Sequence, residues 1–341
     1  MFKDMLKDIL TAYGPSGREA KVREVLKGYL KDYADEMRVD ALGNLIALKK
    51  GTSGKKVMLC AHMDQIGFVV IDIDDKGFLR IAPVGGISAL SAYARSVTFE
   101  NGVSGVISAE SKDFDISKMT LAKMFVDIGA RSKEEAQRLV SIGDMAVYTP
   151  IFREMKAGEN GENTRFSCAY MDDRVCCAVM LEVFLKAKSE HDLYAVFSTQ
   201  EEVGLRGSKV AAYAINPDFG LNFDVTGTGD TPGSGTLALA LGDGAAIKVM
   251  DRSIIVPVEA RDFLVECAKE TGSKYQMEVL PYGGTDTASI QQARGGVMAC
   301  CISIPCRYIH SAHETTDLGD IEAAVKIAIA ALEKKVFPAA G

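Results

Sequence analysis

The sequence of 341 residues predicts an α/β fold: a mixed sheet flanked by helices and interrupted by a small inserted β-rich domain. Two textures carry that expectation. At the start of the chain and again after Asp172, short apolar runs such as Val57-Met58-Leu59-Cys60-Ala61 alternate with segments whose apolar residues recur at helical spacing, the pattern of strands covered by helices. From about residue 67 to 150, β-branched runs are instead separated by Asp74-Asp75-Lys76-Gly77, Gly85-Gly86 and Asn101-Gly102, which is hairpin punctuation. The larger domain is therefore expected at residues 1–66 and 165–341, discontinuous around an insertion at 67–164.

Taken in order, the first helix presents Phe2, Leu6, Ile9 and Leu10 on one face, while Lys3, Asp4, Lys7 and Asp8 interrupt any secretory apolar core. Ser16 and Glu19 have capping-box spacing and predict a helix from Ala20. Asp40-Ala41-Leu42-Gly43-Asn44 is a turn between strands at 37–39 and 45–48, and His62 stands where the strand at 57–61 ends. Inside the insertion, Ser132 and Glu135 form a second capping-box pair, and Gly158-Glu159-Asn160-Gly161-Glu162-Asn163 makes a polar exit. After Asp172, Val175, Ala178, Val179 and Val183 line one helical face, followed by strands at 193–197, 220–223 and 297–304. The last helix, with Ile321, Val325, Ile329 and Leu332 on one side, is broken by Lys326 well short of a membrane span.

A formal net charge of −7 without a basic cluster argues against nucleic acid or an anionic membrane as partner. Eight cysteines include the adjacent pairs Cys176-Cys177 and Cys300-Cys301 and no C-x-x-C, which favours buried thiols in a reducing, cytoplasmic setting over disulfides or a cysteine zinc site.

His62, Glu202, Asp224 and His310 fall at or just beyond the ends of four apolar runs. Open α/β sheets build their sites at the carboxyl edge of the strands, so residues distant in sequence can converge there. Imidazole with carboxylate suits Zn²⁺ or Co²⁺ used hydrolytically, with Asp172 the candidate shared ligand of two ions. Each residue taken singly has a structural explanation: a hydrogen-bonded core histidine for His62, a helix cap for Asp172 or Asp173. The chain has only four histidines, however, and His62, His310 and His313 all follow apolar strands. Asp64, two residues past His62, is either a strand-end turn residue or, with a metal on His62, the carboxylate that orients its ring. Of the adjacent pair, Glu202 is a ligand candidate and Glu201 a proton acceptor, against the alternative of a solvated acidic loop. Gly284, Thr285 and Asp286 are candidate cleft-lining residues or an ordinary turn. Gly227-Thr228-Gly229-Asp230-Thr231-Pro232 has proline where a dinucleotide loop needs its third glycine, and is discounted.

The segments Ala61-His62-Met63-Asp64-Gln65-Ile66-Gly67, Asp172-Asp173-Arg174, Gln200-Glu201-Glu202-Val203-Gly204, Gly284-Thr285-Asp286 and Arg307-Tyr308-Ile309-His310-Ser311 together resemble the M42 family of metallo-aminopeptidases. The resemblance implies one divalent ion held by His62, Asp172 and Asp224 and a second by Asp172, Glu202 and His310. It implies Glu201 as general base and acid, Asp64 as the group orienting His62, and an inserted PDZ-like or barrel-like dimerisation domain. It further implies peptide substrates and homo-oligomers, dimers that assemble into tetrahedral dodecamers. Ala312 stands where the family usually has proline, and His313 is the alternative ligand to His310. Cys168, Cys176 and Cys177 crowd Asp172, where a thiol would alter metal preference or oxidative sensitivity.

Three rival readings follow from the same residues. A glycoside hydrolase needs two carboxyl groups and no metal, which leaves the histidines unexplained. A metal-dependent deacylase of N-acylated small molecules would use the same ligand cage. A non-catalytic scaffold would not need Glu201.

Overall fold

A computed structural model describes residues 2–110, 118–158 and 163–338. The polar exit expected at 158–163 falls largely outside these residues. The chain opens with helices α1 (Phe2–Thr11) and α2 (Ala20–Leu30) and strands β1 (Glu36–Val39), β2 (Leu45–Lys49) and β3 (Lys56–His62). Six strands of the insertion follow: β4 (Gly67–Ile73), β5 (Leu79–Val84), β6 (Ser96–Phe99), β7 (Ser104–Ala109), β8 (Met124–Asp127) and β9 (Met145–Tyr148), with short helices α3 (Ala89–Ala92) and α4 (Lys133–Gln137). The chain returns through β10 (Arg153–Ala157), β11 (Asn163–Cys168), α5 (Met171–Lys186), β12 (Asp192–Ser198), α6 (Arg206–Ile215) and β13 (Phe219–Thr226). It finishes with β14 (Ala245–Met250), α7 (Val258–Glu270), β15 (Tyr275–Val279), α8 (Asp286–Gln291), β16 (Met298–Arg307), β17 (Glu314–Asp317) and α9 (Leu318–Leu332).

Among the described residues, eleven strands form one mixed sheet, ordered β1-β2-β12-β3-β13-β16-β17-β11-β10 with β14 and β15 branching from β16. At its centre β12, β3, β13 and β16 are neighbours and all parallel. Helix α5 packs under β3 and β13, with α1 and α9 beside it, while α6 and α8 cover the opposite face. From Met171 to Phe184 every residue of α5 is buried, as expected of a helix enclosed on all sides. Each fully buried Val, Leu or Phe there contributes roughly 1.5–3 kcal/mol of transfer free energy.

The insertion closes into a six-stranded barrel ordered β4-β5-β8-β7-β6-β9. Closure removes the unpaired edges that a small open sheet would leave exposed. Phe68, Val70, Ile81, Val97, Ile107 and Val126 fill it. The expected turns are in place: Asp74 Oδ1 accepts from the N–H groups of Lys76 and Phe78 at 3.0 and 2.9 Å, and Gly77 takes φ +88°. The Ser132 pair caps α4 as predicted, its hydroxyl accepting from Glu135 N–H at 3.2 Å while Glu135 accepts from Arg131 N–H at 2.8 Å. The Ser16 pair does not form a capping box. Helix α2 begins at Ala20 without a side-chain cap, because the Ser16 hydroxyl is drawn instead to Asp64.

Candidate metal centre

The parallel strands at the middle of the sheet deliver their carboxyl ends to one rim. His62 is the last residue of β3, Asp224 lies two residues before the end of β13, Glu201 and Glu202 follow β12, and His310 follows β16. The loops at this rim hold non-glycine residues in left-handed backbone: Tyr170 (φ 72°) before Asp172, Gln200 (φ 55°) before Glu201, then Tyr308 (φ 63°) and His310 itself (φ 62°). Such a conformation costs on the order of 1–2 kcal/mol per residue, and strain of this kind concentrates where side chains must be aimed at a site.

Asp172 lies between two imidazoles. Its Oδ1 is 3.1 Å from His62 Nε2 and its Oδ2 is 3.4 Å from His310 Nε2. Glu202 Oε2 is 3.3 Å from the same nitrogen of His310, and Glu201 Oε2 is 3.7 Å from His62 Nε2. Ligand atoms of His62, Asp172 and Glu202 lie within 4.8 Å of one another, as do those of His62, Asp173 and Asp224. The second group brings in Asp173, which also accepts the His62 N–H at 3.1 Å. His313 is not at the cluster; its ring lies between Arg95 and Arg153.

The supporting contacts hold these groups in place. His62 Nδ1 faces the Asp64 carbonyl oxygen at 3.3 Å and the Asp64 carboxylate at 3.5 Å, which leaves Nε2 to face Asp172. The Asp64 carboxylate accepts from Ser16 Oγ at 2.6 Å and from the N–H groups of Glu201 and Glu202 at 3.0 and 3.3 Å. It therefore fixes the acidic loop as well as the histidine. Glu314 accepts the N–H of Asp172 at 2.9 Å and of His310 at 2.7 Å, tying the two sides of the cluster together. Arg174 is fully buried, donating to carbonyls of Ile9, Ala12, Gly14 and Met63, so it anchors α1 beneath the rim. Sequence reasoning missed Asp173, Glu314 and Ser16 as site residues. Asp173 was adjacent to a candidate and Glu314 only four residues past His310, but carboxylate identity was the only signal either offered.

Negative charge dominates the centre. Burial pushes the carboxyls of Glu201, Asp224 and Asp173 well above their ordinary range and raises Glu202 as well. Burial also opposes ionisation of Asp172, yet hydrogen bonds to His310 and His62 hold it below the usual carboxylate range. Burial disfavours protonated His310, but Asp172 and Glu202 outweigh it and raise the group to about 12. Glu202 Oε1, Asp224 Oδ2 and Asp173 Oδ1 are buried without any hydrogen-bond partner, an arrangement that is costly unless a cation compensates it.

A cavity of about 620 Å³ opens over the cluster, lined by His62, Asp172, Glu201, Glu202, Asp224 and His310. Gly284 and Thr285 also line it. Asp286 does not, differing from the cleft-lining placement expected for it: it is 1% exposed and accepts hydrogen bonds from Ser198 and Ser208 behind the wall. Gly85-Gly86, read from the sequence as hairpin punctuation, lies against the centre. A Cβ on Gly86 would meet His310 Nδ1 at 2.9 Å, and one on Gly85 would meet Glu202 at 3.3 Å. Of the cysteines near Asp172, Cys177 donates to the His62 carbonyl at 3.1 Å, and burial pushes the thiols of Cys176 and Cys177 well above their ordinary value. Cys306, which sequence reasoning left aside, lines the cavity.

Known proteins share this architecture. The family model for M42 glutamyl aminopeptidases matches residues 43–327. A putative aminopeptidase of Acetivibrio thermocellus is 46% identical over 96% of this chain and 98% of its own length. An aminopeptidase of the archaeon Desulfurococcus kamchatkensis superposes with a TM-score of 0.93 at 35% identity, over 98% of this chain and 95% of that one. The TET1 peptidase of Pyrococcus horikoshii, described as assembling into a tetrahedron or a large octahedral shell, superposes with a TM-score of 0.86 at 32% identity, over 98% of this chain and 100% of that one. The match spans the parallel rim, the inserted barrel and the returning strands alike, and the chain belongs to the M42 family of aminopeptidases.

Proposed function

We propose that this chain removes the N-terminal residue of peptides using two divalent metal ions, Zn²⁺ or Co²⁺, held by His62, Asp172, Glu202, Asp224 and His310. The observation that carries this reading is Asp172, whose two carboxylate oxygens face two different imidazoles at 3.1 and 3.4 Å. A single carboxylate so placed suits a bridge between two ions. The orphaned oxygens of Glu202 and Asp224 supply the remaining donor capacity, and imidazole with carboxylate is the donor set for hydrolytic Zn²⁺ or Co²⁺.

When bound, such a pair supplies Lewis-acid polarisation of the scissile carbonyl and acidifies water at neutral pH. Glu201 lines the cavity with its Oε2 3.7 Å from His62 Nε2, and burial makes it a better base than an ordinary carboxylate. It accepts the proton of the attacking water and delivers it to the nitrogen of the leaving amine. Asp64 keeps His62 in one tautomer and keeps the Glu201-Glu202 loop over the cavity. The anionic wall suits the free α-amine of a peptide, which accounts for cleavage at the chain end.

In this reading the inserted segment expected at 67–164, whose barrel is built from β4 to β9 while β10 already joins the large sheet, acts as a dimerisation domain of a homo-oligomer, supported by the assemblies described for TET1. Among the described residues no helix is long and apolar enough to cross a membrane; the proposed setting is the cytoplasm.

Turnover of aminoacyl-chromophore substrates with and without a chelator tests the proposal. Activity is expected to vanish with chelator and return with added Zn²⁺ or Co²⁺. Preference for N-acetylated over free-amine substrates would redirect the site to deacylation, and chelator-resistant release of reducing sugar would redirect it to glycoside hydrolysis.

A further inference from the structure

We propose that a cationic cleft adjoining the metal cavity binds the C-terminal carboxylate of a short peptide substrate, through Arg95 and Arg153 on either side of His313. The inference rests on the aminopeptidase reading above and adds a second anchoring point to it. The cleft, of about 1110 Å³, shares Arg307 and Tyr308 as walls with the metal cavity. A peptide whose amine lies among the carboxylates can therefore run past Tyr308 into it.

Most cations lining the cleft are already paired. Arg307 grips Asp230 with two hydrogen bonds of 2.9 and 2.6 Å, Arg165 meets Asp317 at 3.2 Å, and Lys156 meets Glu154 at 3.4 Å. Arg153 is different. Its Nη1 lies 3.4 Å from His313 Nδ1, while Arg95, reaching across from the barrel, places Nη1 3.2 Å from His313 Nε2. A neutral imidazole has only one acceptor nitrogen, so it cannot satisfy both guanidiniums. Burial and the two arginines push His313 below its ordinary value, and an imidazole, neutral or protonated, carries no negative charge to offset theirs. The other acceptors are backbone carbonyls, Ser91 for Arg95 and Ile151 for Arg153. Among the described residues neither arginine makes an ion pair, although Asp243, Asp317 and Glu322 also line the cleft. Two guanidiniums, each with five donors, thus flank one imidazole, one at each ring nitrogen, and neither is paired with an anion among the described residues.

The reach is right for a short peptide. His313 is three residues beyond His310, a span of at most about 10 Å. An extended peptide advances roughly 3.5 Å per residue, so a carboxylate two or three residues past the scissile bond arrives beside the arginines. Guanidinium recognises carboxylate in bidentate geometry. The substrate channel would thus be anionic at the amine end and cationic at the carboxylate end, matching the charges of a tripeptide or tetrapeptide zwitterion.

The test compares tripeptides and tetrapeptides bearing a free C-terminal carboxylate with their C-terminal amides, on the metal-loaded full-length protein. The acid is expected to exceed the amide in kcat/KM by about tenfold, mainly through KM, the effect of one charge-assisted hydrogen bond. That ratio should fall toward one in Arg153→Gln and in the Arg95→Gln/Arg153→Gln pair, and recover partly in Arg153→Lys. Because acid and amide are compared within each variant, a general loss of activity does not mimic the result. A ratio of one in the wild type, or an undiminished ratio in the double variant, overturns the proposal while leaving the aminopeptidase reading intact. A ratio of one joined to loss of the assembled state in the double variant would assign the arginines to a subunit contact and overturn it equally. No turnover of any peptide would overturn both.

Discussion

The two sides of Asp172 are built differently. On one side His62 terminates a central strand, is 2% exposed, and has its ring held by Asp64 and its N–H by Asp173. On the other, His310 sits on a loop with left-handed backbone, its side chain 33% exposed, its N–H tied to Glu314 and its ring backed by Gly86 from the inserted segment. The His62 half is set by the sheet. The His310 half exists only when a strand-end loop, Glu314 and the edge of the barrel meet. The two proposed ion positions should accordingly be unequal, the His310 side being weaker and more easily disturbed.

The largest effect should come from the residue common to both halves. Asp172→Ala is expected to lose both ions and at least about a thousandfold in activity; full metal content by elemental analysis would refute the shared-ligand assignment. Glu201→Gln should keep both ions while kcat drops by roughly 10²–10⁴-fold, and unchanged turnover would remove Glu201 from proton transfer. His310→Ala should shed one ion and keep the other at near wild-type affinity, whereas His62→Ala should weaken both; the opposite order would reverse the contrast. Gly86→Ala tests the barrel's contribution, since the new methyl must move the His310 ring. Its expected cost is about tenfold in affinity for the weaker ion, read by metal titration, with the tighter ion unaffected.

The smallest effect concerns protons. With His310 raised to about 12 by Asp172 and Glu202 against the opposing effect of burial, the imidazole is protonated at neutral pH before a metal arrives. Metal needs it neutral, so loading should release protons and affinity should rise with pH across the neutral range. Calorimetry in buffers of different ionisation enthalpy measures this directly. Zero proton release would show that the imidazole is already neutral before a metal arrives.

Much of the rim could be read before any coordinates. Apolar runs at 57–61, 193–197, 220–223 and 297–304 announce buried strands, and the chemistry-bearing residues stand at their ends. That these four strands are adjacent and parallel is a property of the whole topology, which local pattern does not contain. The misses have the same origin. Ser16 has capping-box spacing, yet a buried carboxylate 2.6 Å away competes successfully for its hydroxyl. Gly85-Gly86 looks like a turn, and only three-dimensional proximity shows that a side chain there would strike His310. The choice of His310 over His313 likewise depended on which of two nearby imidazoles faced carboxylates and which faced arginines.

The barrel is spliced into the chain between His62 and Asp172, whose side chains lie 3.1 Å apart. Whatever joins those two residues also ties off a loop of about a hundred residues, and long loops are the ones whose closure removes the most chain entropy. An ion shared by them would act as a reversible staple at the neck of the insertion. Stripping it should loosen the barrel's attachment before it melts either part, so susceptibility to proteolysis at the two connections would register metal occupancy without any substrate being present.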